Sequence, residues 1–207
     1  MQRIEKIKFQ LNSIMKKIGI TGGIGSGKTT VCKIFESLGI PVYYADDRAK
    51  ALMIENKELV NGIKNLLGGD AYFEDGSLNR QHIASIVFKD KEKLDKLNSL
   101  VHPAVAKDGI LWQQSHSLVP YTLKEAALLI ESGSYKALDI LITVWAPKET
   151  RVERVMKRDG ITREEVEGRM DKQMSEFEKL KLAQYVIIND GEKSLVQQVQ
   201  KLHKRFK

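Results

Sequence analysis

Residues 22–29 read Gly-Gly-Ile-Gly-Ser-Gly-Lys-Thr. The string fits the phosphate-loop pattern G-x-x-x-x-G-K-S/T without a mismatch. Each part has a physical job. Such a loop wraps tightly enough for several backbone N–H groups to point at one polyphosphate. Gly22, Gly23, Gly25 and Gly27 are expected to supply the positive φ angles and the missing Cβ atoms that the wrap needs. Lys28 can reach the β- and γ-phosphates as a point charge, and the Thr29 hydroxyl can ligate Mg²⁺. Ile24, Ser26 and Thr30 complete the expected nucleotide-binding set.

The flanks support the motif. Lys17-Ile18-Gly19-Ile20-Thr21 reads as a buried strand running into the loop. Beyond it, Val31, Ile34, Phe35 and Leu38 fall at i, i+3, i+4 and i+7, which is one face of a helix. Gly39 stands where that helix should stop, with Pro41 two residues on. Strand, glycine-rich loop and helix is the required context, and the helix N-terminus adds its dipole to an anion site.

Composition bounds the rest. A chain of 207 residues with 42% hydrophobic and 29% charged residues can hold one α/β core plus an insertion. No run is long and apolar enough for a membrane span. The single cysteine, Cys32, excludes an internal disulfide framework and reads as a packing residue on the helix after the loop. A cytoplasmic location is expected. The formal net charge is +7, but it is spread. Residues 148–183 carry ten Lys/Arg and nine Asp/Glu, so even the arginine-rich part is nearly neutral. That favours small phosphorylated ligands over nucleic acid. Met15 reads as a natural beginning. For residues 1–14, with Ile4, Ile7, Leu11 and Ile14 at helical spacing, two readings stay open: a short amphipathic helix, or a poorly ordered extension.

Further along, Ile40–Tyr44 reads as a second strand, followed by a helical stretch over 47–67. Gly68-Gly69-Asp70 breaks it, and Asn79 caps a helix holding Ile83, Ile86 and Val87. A long helix from Asp90 carries Leu94, Leu97, Val101 and Val105. A third strand is expected within Val119–Ala126 and a fourth at Ile140–Trp145. Pro147 opens a helix. Thr162-Arg163-Glu164-Glu165 is a capping box for another, expected to carry Val166, Met170 and Phe177. Val186–Asn189 is a last strand, and Leu195, Val199, Leu202 and Phe206 stripe the final helix. Strands alternating with helices argue a parallel sheet covered on both faces.

A phosphate loop does not by itself separate a kinase from a GTPase or a motor ATPase. The nearest string to a guanine motif, Asn56-Lys57-Glu58-Leu59, lacks the aspartate. The strand 140–145 ends in Trp145-Ala146-Pro147 rather than in an acid. Small-molecule kinases place an acid after the second strand, and Asp46 stands there. It can accept or orient a substrate hydroxyl proton; the competing reading is a helix N-cap. Arg151, Arg154 and Arg158 share one helix face, with Arg163 and Arg169 on the next helix. Guanidinium groups suit the oxygens of a transferring phosphoryl group; the competing reading is a solvated, ion-paired face. His102, before Pro103, reads as packing or capping on pattern alone, while His82, His116 and His203 have no partner pattern.

At this point the residues match more than a loop. The chain resembles the dephospho-CoA kinase family from about Met15 to Lys204. The resemblance rests on Thr21–Thr30, Ala45-Asp46, Leu78-Asn79-Arg80 with Val87-Phe88, and Leu100-Val101-His102-Pro103. It continues in Leu128-Leu129-Ile130-Glu131, Arg154 with Arg158-Asp159, and Val186-Ile187-Ile188-Asn189-Asp190-Gly191. It implies a P-loop kinase fold with a five-stranded parallel sheet, a helical insertion and a helical lid. The implied parts are an N-terminal extension (1–14), a nucleotide-binding core (15–47, 117–147 and 184–207), an acceptor-binding insertion (48–116) and a lid (148–183).

The implied activity is transfer of a phosphoryl group from ATP, with Mg²⁺, to the ribose 3′-hydroxyl of dephospho-CoA. Asp46 would be the catalytic base, with Lys28, Arg154 and Arg158 also catalytic. Arg80, His102 and Glu131 would join Asp46 on the acceptor side, and Asn189 would lie near the adenine. No nucleic acid or membrane partner is implied, and a monomer is expected. Two departures stand out: Tyr44 replaces an aspartate common in the family, and Ala127 replaces a proline. Two other readings remain: another small-molecule kinase, or a nucleotide-switch protein that hydrolyses ATP slowly and makes no phosphorylated product.

Overall fold

The computed structural model describes residues 15–207; the readings of residues 1–14 lie outside them. β1 (Lys16–Thr21) is the centre of a five-stranded sheet. The other strands are β2 (Val42–Tyr44), β3 (Tyr121–Glu125), β4 (Ile140–Trp145) and β5 (Tyr185–Ile188), in the spatial order β2-β3-β1-β4-β5. The sheet is parallel, with Ile20 opposite Glu125 on one side and Thr21 opposite Thr143 on the other. Ile18 and Ile20 are fully buried, as a central parallel strand covered on both faces requires. Because β1 is central, the loop that leaves it emerges between the ends of β3 and β4. This is the crevice at a topological switch point where open α/β sheets bind ligands.

α1 (Lys28–Ser37) follows the loop and buries Val31, Cys32 and Phe35. It stops at Leu38, and Gly39 takes φ +81°, the left-handed turn that a side chain with a Cβ resists. Phe35 meets Tyr121 of β3 edge-on at 6.3 Å. Tyr121 also packs on Phe206 of the last helix, α9 (Leu195–Phe206), at 5.5 Å. In the same helix His203, which had no partner pattern in the sequence, is buried, and its Nδ1 lies 2.6 Å from the Tyr121 hydroxyl. Burial pushes this imidazole below its ordinary value.

Contacts divide the chain into two compact units. Among the described residues, one comprises residues 15–43 together with His116–Lys207, and the other is Tyr44–Ser115. The second unit is helical: α2 (Ala45–Glu55), α3 (Lys57–Leu67), α4 (Arg80–Val87) and α5 (Lys91–Ser115). The helical stretch expected over 47–67 is two helices. Asn56 has extended backbone, ends α2, and caps α3 by accepting from Leu59 N at 3.0 Å. Asn79 caps α4 as expected, accepting from His82 N at 3.1 Å. Arg48 holds Asp108 through two nitrogens, at 2.9 and 3.0 Å, tying α2 to α5.

In the first unit α6 (Lys148–Asp159) and α7 (Arg163–Met170) form a hairpin around Val152, Val155 and Val166. The Thr162 capping box is present. Phe177 does not continue that helix. The chain breaks after Met170, and a second capping box at Ser175 and Glu178 starts α8 (Glu176–Leu182), leaving Phe177 66% exposed. Two caps in succession outweigh one hydrophobic match in the period. Among the described residues no helix is long and apolar enough to cross a membrane.

Candidate active site

The loop between β1 and α1 takes the wrap its glycines allow. Gly22, Gly25 and Gly27 have φ of +149°, +79° and +93°. Each also lacks room: a Cβ at Gly22 would meet the Val144 carbonyl, at Gly25 the Arg151 carbonyl, and at Gly27 the Asn189 amide. Gly23 corrects the sequence reading. Its φ is not positive. A Cβ there would meet the ends of two long side chains, Arg151 Nη1 and Glu176 Oε1, which would have to move. Ser26 N donates to Gly23 O at 3.1 Å, closing the turn, and Lys28 Nζ curls back to Gly22 O at 2.9 Å. Thr29 and Thr30 are exposed in the first turn of α1, where unpaired helix N–H groups and the dipole favour an anion.

The loop is held from outside at almost every residue. Ile24 packs its side chain on the Val152–Val155–Val166 cluster. Its N–H donates to Gln173 Oε1 at 2.8 Å. Asn189, directly after β5, donates Nδ2 to Ser26 O at 2.8 Å. Arg154 Nη2 in turn donates to Asn189 Oδ1 at 3.3 Å and to Asn189 O at 3.4 Å. The position expected beside a nucleotide base therefore fastens the loop itself.

The three arginines of α6 stand in three different environments. Arg151 is 7% exposed, with Nη1 3.2 Å from Glu176 Oε1. Arg154 reaches Asn189 as described. Arg158 is mostly exposed and pairs with Asp159, which Arg169 also contacts at 3.0 Å. That hydrogen bond raises the Arg158 pKa and lowers that of Asp159. Arg163 pairs with Glu149. Arg151 Nε and Arg154 Nη1 are buried and make no hydrogen bond within the protein. Glu131 accepts from Met174 N at 3.0 Å and lies 3.4 Å from Lys179 Nζ.

Asp46, Arg80 and His102 belong to the second unit, and all three are exposed. Asp46 lies in the first turn of α2, which begins where β2 ends. The N-cap residue there is Tyr44 rather than Asp46. Arg80 opens α4, and His102 lies midway along α5, before a proline that the helix accommodates.

One acid escaped the sequence reading. β3, which flanks β1 on the side away from β4, ends in Glu125, which lies opposite Ile20 and is 7% exposed. Alternation puts it on the face of Tyr121 and Leu123, which packs against α1. Its charge is felt there: burial first, then Glu125, pushes the Cys32 thiol pKa up. Cys32 is thus a buried, protonated packing residue, as its position suggested. The signal was the acid ending β3, since of the two strands that flank β1 only β3 ends in a carboxylate and β4 ends in Trp145.

A family model described as dephospho-CoA kinase matches residues 16–194. A dephospho-CoA kinase from Bacteroides fragilis is 38% identical over 186 residues, covering 90% of each chain. Among solved structures, the Thermus thermophilus protein TT1252 superposes with a TM-score of 0.81 at 38% identity, covering 92% of this chain and 97% of that one. The dephospho-CoA kinase from Campylobacter jejuni gives 0.68 at 28% identity, covering 91% and 96%.

Proposed function

The chain belongs to the dephospho-CoA kinase family, and from that premise we propose which of its residues perform the transfer. The family's activity is ATP-dependent phosphorylation of dephospho-CoA in coenzyme A biosynthesis, and the enzyme is a transferase. The acceptor atom is the ribose 3′-hydroxyl oxygen. It forms a bond to the γ-phosphorus as the bond from that phosphorus to the β,γ-bridging oxygen breaks, and ADP leaves. Asp46 takes the hydroxyl proton on a carboxylate oxygen.

The loop, residues 22–30, binds the phosphates of ATP. The observation that carries this reading is its glycine cradle, with three residues at positive φ and no space for a Cβ. Lys28 leaves the Gly22 carbonyl for the β/γ-phosphates. Arg154 and Arg158 meet the transferring phosphoryl group, and the unpartnered Nη1 of Arg154 supports that role. Asn189 serves ATP binding by holding Ser26 in place. The donor chemistry fits Mg²⁺: the exposed Thr29 hydroxyl at the cradle and the Glu125 carboxylate at the end of the adjacent strand are both oxygen ligands. Thr29 would hold it, with Glu125 on its water shell. Bound there, Mg²⁺ neutralises charge on the β- and γ-phosphate oxygens.

Residues 48–116 are the acceptor-binding insertion, with Arg80 on the acceptor's pyrophosphate and His102 and Glu131 as further acceptor contacts. Residues 15–47, 117–147 and 184–207 form the nucleotide core, and residues 148–183 act as the lid. The protein works in the cytoplasm as a monomer. Separate titrations with ATP and with dephospho-CoA test the division. Arg80→Ala and His102→Ala should weaken dephospho-CoA binding or turnover and leave ATP binding unchanged. Wild-type handling of dephospho-CoA by both variants places the acceptor site elsewhere.

A further inference from the structure

Lys179 is wholly buried, which is rare for a lysine without a full set of partners. Its Nζ lies 3.4 Å from Glu131 Oε1 and 3.8 Å from Glu176 Oε1, and it makes no hydrogen bond. The same two oxygens have other tasks. Glu131 Oε1 accepts from Met174 N, at the start of the segment leading into α8. Glu176 Oε1 accepts from Arg151 Nη1 at 3.2 Å. That ion pair lies directly against the loop, since a Cβ on Gly23 would strike both of its atoms.

A buried ammonium with two carboxylates costs desolvation, and three apolar residues would pack at no such cost. The arrangement therefore calls for a role that charge alone supplies. We propose that Lys179 is a positioning residue for phosphoryl transfer: its ammonium holds Glu131 and Glu176 together, and Glu176 fixes the Arg151 guanidinium against Gly23. The inference rests on the reading of the loop as the ATP site. Gly23 begins the half of the loop that Arg151 and Gln173 hold. The other half, at Ser26 and Gly27, is held separately by Asn189. Loss of Lys179 leaves the two carboxylates facing each other with Arg151, on Glu176, as the remaining cation. Repulsion from Glu131 then displaces Glu176, and with it the Arg151 guanidinium that stands beside Gly23. Phosphoryl transfer is sensitive to such shifts, since misplacement by about 1 Å costs on the order of 10²-fold. Affinity for ATP is less sensitive, because the half of the loop held by Asn189 is untouched.

The test uses the full chain and the variants Lys179→Met, Glu176→Gln and their combination. Turnover and ATP affinity are measured well below the melting temperature of each. The expected result is a fall in kcat of about 10- to 100-fold in each single variant, with the dissociation constant for ATP within about threefold of wild type. The double variant should be no slower than the slower single one, because both substitutions act through the one Arg151 contact. Glu176→Gln keeps the side chain's shape, so it decides the matter if Lys179→Met does not fold. Wild-type turnover in Glu176→Gln overturns the proposal. So do losses that multiply in the double variant, or kcat and ATP affinity falling together with the melting temperature. Wild-type protein that binds no ATP overturns the loop reading itself and is seen in the first titration.

Discussion

Replacing Asn189 by alanine should loosen the phosphate loop without touching its sequence. The amide makes two contacts that alanine cannot. Nδ2 donates to the Ser26 carbonyl at 2.8 Å, and Oδ1 accepts from Arg154 at 3.3 Å. Ser26 stands between two glycines at positive φ, so its carbonyl has little else to hold it. A neutral hydrogen bond contributes about 1 kcal/mol and one to a charged group about 1.5–3 kcal/mol. Arg154 keeps the Asn189 main-chain carbonyl at 3.4 Å, so the lower end applies to the second bond. The clamp then contributes about 2.5 kcal/mol. Most of it should appear as weaker ATP binding, because the freed backbone must be ordered again on each binding event. A loss of about 2 kcal/mol is about 30-fold in the dissociation constant. Isothermal titration measures this with ATP and with inorganic tripolyphosphate. A clamp on the loop weakens both equally, whereas a contact to adenine weakens ATP alone. Binding of both ligands within about threefold of wild type by Asn189→Ala would refute the reasoning.

Four other outcomes are expected. Lys28→Ala should lower turnover by ~10²-fold or more at unchanged melting temperature, as for removal of a preorganised charge. Asp46→Asn should bind ATP normally and lose ~10²–10⁴-fold in transfer, and an early-melting variant with full specific activity would make Asp46 structural instead. Lysine cannot replace the guanidinium fork, so Arg154→Lys and Arg158→Lys should each slow transfer; wild-type turnover in the double variant would leave α6 a solvated, ion-paired surface. His203 is held below its ordinary value of about 6.5, so the unfolded chain binds the proton more readily than the folded one. Its contribution to stability is complete above about pH 6.5 and declines as the pH falls below that. Melting curves across pH 5–8 should show this slope, and His203→Gln should flatten it.

Local chemistry in the sequence announced much of this molecule. The loop string, the strand before it, Gly39 after α1, the Asn79 cap and the Thr162 capping box each lie within a few residues of what they control. The misses are all nonlocal or competitive. The break after Met170 depends on a second cap at Ser175 outweighing the spacing of Phe177. Glu125 was passed over because both β3 and β4 flank β1, and only the folded chain shows that the acid ending β3 is buried against α1. His203 gained meaning from Tyr121, 82 residues away. Gly23 looked like a conformational glycine, yet its φ is not positive, and the neighbours it stands beside, Arg151 and Glu176, come from distant helices. Lys179 and Gln173 sat in an ordinary charged stretch, and only the folded chain brings them to the loop.

On this reading the glycine-cradled loop delivers the γ-phosphoryl group of ATP to dephospho-CoA. Mass spectrometry of dephospho-CoA incubated with the protein, ATP and Mg²⁺ tests it most directly. Wild-type protein should add about 80 dalton, one phosphoryl group, and Lys28→Ala little or none. ATP hydrolysis with dephospho-CoA left unchanged in mass, or equal product from Lys28→Ala, would contradict it.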